Sequence, residues 1–153
     1  MGNQEERVAA AAKQYFTAGF SCAEATFLAG RNELLPDSEV PSSIAGCFGG
    51  GVARTGSVCG ALSGVFMLVG LIYNRVLAEE KELALKAYET AQSIYKDFAA
   101  RFGTVNCRDL TGYDLPEQYS DFAADKAARL KCHEYVDYAA RLLVRELEKR
   151  QKI

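Results

Sequence analysis

Five cysteines, Cys22, Cys47, Cys59, Cys107 and Cys132, are the residues of this 153-residue sequence best suited to chemistry. Thiolates ligate zinc, hold iron–sulfur clusters and carry thiol–disulfide exchange. Spacing alone does not choose among these. The successive gaps are 25, 12, 48 and 25 residues, with no C-x-x-C pair, so neither a zinc-ribbon nor a ferredoxin pattern is present. Inert buried thiols acting as small hydrophobes fit the same spacing equally well. His133 is the sole histidine. It follows Cys132, but Arg129 stands where a C-x-x-C-H haem motif needs cysteine, and His133 is expected to point sideways to solvent rather than into a catalytic pair.

The elements that would position these cysteines read as helices. A first helix is expected over 4–18, with Val8, Ala12, Tyr15 and Gly19 on one face and Gly19 ending it. Ser21-Cys22-Ala23-Glu24 fits a capping box, which places Cys22 in the first turn of a helix over 22–34, where free backbone amides favour a thiolate. A loop over 36–41 leads to a short helix over 42–48. Thr55 or Ser57 would cap an apolar helix reaching Tyr73, with Cys59 near its start. Ala84, Ala87, Tyr88, Ala91, Tyr95, Phe98 and Phe102 recur at three or four residues and stop at Gly103, the clearest amphipathic pattern in the chain. Residues 104–115 read as a loop holding Cys107. After Pro116 a short helix precedes the last, which runs to about Lys149 and aligns Cys132, Val136, Ala139, Leu143 and Leu147. No segment alternates at period two. The expected class is all-α, a single domain over 1–153 built as a bundle of five to six helices.

Composition narrows the function classes. Eighteen Lys and Arg against twenty Asp and Glu give a formal charge of −2, which argues against nucleic-acid binding. The most apolar run, residues 58–73, is too short for a bilayer span of ~20 residues and is expected to be a core helix. Residues 1–13 contain no apolar stretch suited to a signal-peptide core. The cytoplasm is therefore the expected location, where thiols stay reduced and five cysteines point to metal or redox chemistry.

The glycines carry a second signal. Gly56, Gly60 and Gly64 recur every fourth residue of the apolar helix, and three glycines in register, each costing ~1 kcal/mol against alanine, imply close approach by another helix. That helix could belong to the same chain or to a second copy, with a homodimer slightly favoured; room for a prosthetic group beside Cys59 is compatible with either. The Gly49-Gly50-Gly51 cluster, followed by Arg54, could form an anion nest but is neither a Walker loop nor a dinucleotide fingerprint. Close packing, with passage near whatever the cysteines hold, is the favoured reading. The Glu79–Glu82 charge run reads as a solvated face. Tyr113, Tyr119, Phe122, Tyr135 and Tyr138 read as core.

These residues together resemble a known family. Phe20-Ser21-Cys22-Ala23-Glu24-Ala25, Phe48-Gly49-Gly50-Gly51, Cys59-Gly60-Ala61-Leu62-Ser63-Gly64, then Cys107-Arg108-Asp109-Leu110-Thr111-Gly112-Tyr113-Asp114-Leu115 and Cys132 are similar to the redox-active family named for this cysteine and glycine pattern. The resemblance covers nearly the whole chain. It implies a small helical protein with four signature cysteines, here Cys22, Cys59, Cys107 and Cys132. Cys47 lies outside the pattern, as a spare thiol, an extra ligand or a resolving partner. A similar module stands beside haem-binding segments in split-Soret-type cytochromes, which supports electron transfer; this chain lacks the haem motif.

The leading expectation is an iron–sulfur cluster on Cys22, Cys59, Cys107 and Cys132, working in electron transfer or redox sensing with an unspecified donor and acceptor. Gly49, Gly50, Gly51, Gly60 and Gly64 would shape the site. The first alternative is metal-free exchange, with Cys22 attacking and Cys59 resolving. The second is a structural zinc site, or a helical oligomerisation module without redox chemistry.

Overall fold

The computed structural model describes residues 2–153 and consists of helices. They are α1 (Gly2–Thr17), α2 (Cys22–Leu34), α3 (Gly60–Tyr73), α4 (Lys81–Phe102), α5 (Cys107–Thr111), α6 (Leu115–Ala124) and α7 (Lys126–Lys149), with one 3₁₀ turn at Ser42–Ala45. Six helices have ten residues or more, and α5 has five. The all-α expectation holds. No described helix is long and apolar enough to cross a membrane.

α3 is the centre of the bundle because it is apolar on nearly every side: Gly60 through Val65 are buried without a break, as are Leu68, Val69 and Tyr73. α2 packs along it, α1 and α7 pack on α2, and α4 closes the far side against α3 and α7. Small residues set the α2–α3 distance. A methyl group at Gly64 would overlap Thr26 Oγ1 and the Ala23 carbonyl and reach 3.1 Å from the Phe27 amide nitrogen. Thr26, itself buried, donates from Oγ1 to the Ala61 carbonyl at 3.0 Å and ties the two helices together.

The glycine stripe divides on inspection. Gly60 and Gly64 face α2 of the same chain, whereas Gly56 lies in a turn at φ +82° against Arg108. The close approach is thus internal and gives no support to a dimer through this stripe. α3 also begins later than expected: Cys59 occupies its N-cap position, and Thr55 instead donates to the Gly51 and Val52 carbonyls within the preceding turn.

Two other segments differ from expectation. The helix expected over 42–48 is only the Ser42–Ala45 turn. Cys107 opens the short helix α5 rather than lying in a loop. On α4 the buried positions are Thr90, Ile94 and Phe98, while Tyr88 and Tyr95 are exposed. Periodicity identified the helix but merged two adjacent stripes, because residues 84, 88, 91 and 95 lie beside the buried line rather than on it.

α5 and α6 form a smaller layer across one end of the bundle. Leu115, Phe122 and Ala128 pack there around Cys107, with Tyr113, Tyr119 and Cys132 at its edge. The Tyr135 hydroxyl on α7 donates to the Leu110 carbonyl at 3.0 Å and fastens α5 to the bundle.

Candidate functional site: a cysteine-lined pocket

The signature cysteines come from four separate segments, and each is held by local backbone structure. Cys22 is the first residue of α2, fixed by the capping box: Glu24 N–H donates to Ser21 Oγ at 3.2 Å, and Ser21 N–H donates to Glu24 Oε1 at 3.1 Å. Cys59 and Cys107 are set by a short antiparallel pairing around Val58 and Asn106. In it Cys59 N–H donates to the Val105 carbonyl at 2.8 Å and Cys107 N–H to the Ser57 carbonyl at 2.7 Å. Cys132 is carried by α7, two turns in, where its side chain meets both apolar clusters. The pairing at Val58 carries no sequence periodicity, so nothing in the sequence announced it.

The segment between Cys47 and Cys59 is a left-handed turn. Gly50, Gly51, Val52, Ala53 and Arg54 all have φ between +53° and +72°. That conformation is unfavourable for the three non-glycine residues, most of all for β-branched Val52. Hydrogen bonds hold it closed: Ala53 N–H to Cys47 O at 2.7 Å, Arg54 N–H to Gly49 O at 3.0 Å, Gly56 N–H to Gly50 O at 3.0 Å and Ser57 N–H to Gly51 O at 2.8 Å. The amides of residues 53, 54, 56 and 57 are thereby engaged inside the turn, whereas the Gly50 amide faces the Cys22 sulfur. The glycines here permit close contact. A methyl at Gly51 would come within 2.6 Å of Cys107 Cβ, one at Gly49 within 2.8 Å of Ser21 Cβ, and one at Gly60 within 2.5 Å of Cys22 Sγ and 2.8 Å of the Phe48 carbonyl.

A pocket of about 450 Å³ opens at this end of the bundle, and Cys22, Cys47, Cys107 and Cys132 line it. Cys59 is buried in the adjoining core, near enough that charges on Cys22, Cys107 and Cys132 would each act on its thiol. Cys47 is exposed at the pocket wall. All five are free thiols.

Burial dominates their acidity. It pushes the Cys22 thiol above its ordinary value although backbone amides of Gly50, Ala23, Cys22 and Ala61 face the sulfur and favour the thiolate. Cys59 is raised well above its ordinary value by burial first and by the Cys22 charge next. Cys107 and Cys132 are each pushed up to about 12, again chiefly by burial. The helix-start argument for an acidic Cys22 is therefore outweighed by desolvation.

The rest of the wall is aromatic and cationic. Arg54 lies over the Tyr119 ring at 3.6 Å, and Arg129 stands 5.3 Å from the Phe16 ring and 6.0 Å from that of Phe122. Tyr119 and Phe122, read from the sequence as core, thus also form the pocket wall. Phe20, part of the family motif around Cys22, lines it too, as do Phe16 and Arg129, which no sequence signal marked as site residues. His133 packs edge-on against Phe16 at 4.7 Å, outside the pocket lining.

No group of three or more His, Cys, Asp or Glu side chains among the described residues is disposed to hold a metal ion. No curated protein and no solved structure matches the chain. A family model does, described as "Putative redox-active protein (C_GCAxxG_C_C)" and covering residues 20–146, from the residue before the capping box to the last turns of α7. In this chain the central element reads Cys59-Gly60-Ala61-Leu62-Ser63-Gly64. The chain belongs to this redox-active cysteine family.

Proposed function

We propose that this redox-active protein works through Cys22, Cys59, Cys107 and Cys132, and that these four hold an iron–sulfur cluster for electron transfer or redox sensing. The supporting observation is their gathering from four segments around one end of the bundle, three on the wall of one pocket and the fourth directly behind it.

The donor set suits that group. Iron–sulfur clusters are held by thiolates and tuned by hydrogen bonds to sulfur and by solvent exposure. Here the amides of Gly50, Ala23 and Ala61 face the Cys22 sulfur. Arg54 and Arg129 place positive charge on the same wall, where it would offset the charge of several thiolates. Such a cluster supplies one-electron transfer when bound. The chain's own part is to deliver four deprotonated sulfurs, to keep water away with Phe16, Leu115, Tyr119 and Phe122, and to leave Cys47 and Arg54 at the accessible edge.

Metal-free exchange is the second reading, favoured by the influence of the Cys22 charge on Cys59 ahead of the other cysteines. In that case the two thiols would lose two electrons and two protons to a disulfide acceptor. Protein purified without oxygen and assayed for visible absorption, iron, sulfide and zinc separates the readings. Brown protein with iron and sulfide near stoichiometry, lost in Cys22→Ser and Cys132→Ser, supports the cluster. Colourless protein with five titratable thiols, unchanged by reconstitution with iron and sulfide, rejects it in favour of exchange.

A further inference from the structure

The outer face of α4 is the part of the molecule that its own fold leaves uncovered. Leu85, Tyr88 and Tyr95 are 57%, 69% and 42% exposed, and exposed Gln92 lies among them. Their spacing of three, four and three residues is that of a coiled-coil seam rather than of scattered surface hydrophobics. Beside the seam runs a groove of about 560 Å³ between α3 and α4. Small residues, Gly70, Ala84, Ala87 and Ala91, form part of its lining, with Phe66 and Tyr73 beside them. Nothing stands within 4 Å of a methyl group placed on Gly70. Seam and groove together are shaped to receive a helix with large side chains.

We propose that the occupant is α4 of a second copy, paired antiparallel about a twofold axis through Gln92. The register follows from the residues. At 1.5 Å per residue, an axis at Gln92 puts Tyr88 of one copy within one residue of level with Tyr95 of the other, so the aromatic pairs stack on both sides of the axis. The same operation brings Glu89 within one residue of Lys96 of the other copy, twice. By helical position both lie on the edge of the seam away from α3, although Lys96 also reaches the groove lining, and a twofold of this kind keeps that edge on the same side in both copies. One edge of the interface is therefore charged and self-complementary. The other is apolar apart from Arg75, and there Tyr88 and Tyr95 of each copy meet the Ala84, Ala91 and Gly70 side of its partner. Gln92 at the centre pairs with its own copy, a polar position that selects register as buried polar residues do in coiled coils.

The charges are available for this. Lys96 makes no ion pair among the described residues, and Glu89 has only a long one, at 3.9 Å, to Arg150. Glu82 and Lys86, by contrast, already pair with each other at 3.1 Å. α4 has 22 residues, about 33 Å at that rise, long enough to set three or four layers of side chains against its copy. The surface is isologous, as a twofold dimer requires, and it does not involve the cysteine pocket, so it stands apart from the reading of that site.

Sedimentation equilibrium of the full chain from micromolar to several hundred micromolar tests the proposal. The expected result is a monomer–dimer equilibrium that Lys96→Glu weakens about tenfold, since it turns both salt bridges into Glu–Glu contacts. Glu89→Lys should do the same. Combining the two reverses the polarity and should restore association to within about threefold of wild type. Tyr88→Ser should abolish it while leaving helical circular dichroism intact. A monomer at every concentration overturns the proposal, and the groove then belongs to a small apolar ligand if anilinonaphthalene sulfonate saturates it and Tyr88→Ser removes that binding. A dimer indifferent to Lys96→Glu, or one that the double variant fails to restore, overturns the register and with it the proposal.

Discussion

Replacing Gly64 with alanine, set against the same change at Gly70 on the same helix, tests the packing that underlies the site. Alanine is favoured over glycine inside a helix by ~1 kcal/mol, so propensity alone predicts that both changes stabilise. At Gly70 nothing lies within 4 Å of the added methyl, and the gain should appear nearly whole. At Gly64 the methyl overlaps Thr26 Oγ1 and the Ala23 carbonyl and presses on the Phe27 amide. Two of these belong to the α2 backbone and cannot rotate away. Overpacking of this kind costs ~1–3 kcal/mol, and displacing Thr26 also breaks its hydrogen bond to Ala61, worth ~1 kcal/mol. Taking the upper end of overpacking, since two overlaps occur together, Gly64→Ala should destabilise by ~3 kcal/mol net of propensity. For a chain of this size that corresponds to a fall in Tm of ~6–12 °C, against a rise of ~2–4 °C for Gly70→Ala. Thermal and urea unfolding followed by circular dichroism, on protein dilute enough to be monomeric, measures both. A Gly64→Ala protein that melts at or above the wild type would refute backbone contact between α2 and α3, and with it the placement of Cys22 against Gly60.

Gly60→Ala should act on the site more than on the fold. Its methyl meets Cys22 Sγ and the Phe48 carbonyl, so, on the proposal of a cluster at these cysteines, iron and sulfide content should fall by more than half at unchanged helicity; full content in a cluster-bearing protein would show that Cys22 is not held there. Iodoacetamide at pH 8 should label one thiol rapidly in cofactor-free native protein, and peptide mapping should identify it as Cys47, the exposed one. Rapid labelling of buried Cys107 or half-buried Cys132, whose thiols are pushed up to about 12 chiefly by desolvation, would contradict that desolvation. At the far end of the bundle, hydrogen bonding from Arg145 holds the Glu5 carboxyl below its ordinary value of 4.5; burial opposes this and Arg141 adds to it. A carboxylate with a depressed folded-state value contributes stability that is complete above its unfolded value and lost as pH falls through the folded one. The melting temperature should therefore decline as pH drops below 4.5, and Glu5→Gln should flatten that decline; an unchanged slope would show the α1–α7 ion pairs to be inert.

The helical class was legible in the sequence because amphipathic spacing and end signals are local. The Ser21–Glu24 box fixes the start of α2 from four adjacent residues, and Gly103 ends α4 at φ +82°. The apolar line on α7 is also local: Val136, Ala139, Leu143 and Leu147 are all buried. Spacing failed on α4, where two neighbouring stripes are both apolar and only the packing of α3 and α7 decides which is buried. It failed again at Gly56, which continues a four-residue repeat on paper but stands in a turn against Arg108.

The sequence by itself determined which residues are suited to chemistry: five thiols, a glycine pattern and a single histidine. Tertiary structure decided how they meet. Cys59 and Cys107 are brought together by an isolated pairing at Val58 and Asn106, 48 residues apart, which no periodicity announces. Tertiary structure also decided acidity. The helix start at Cys22 is a local feature favouring a thiolate, but desolvation depends on every atom packed around the sulfur, and burial outweighs it. The arginines and rings of the pocket wall come from α1 and the connection that follows it, the left-handed turn, α6 and α7; they share a surface only because the bundle closes, and long-range closure leaves no mark on local spacing.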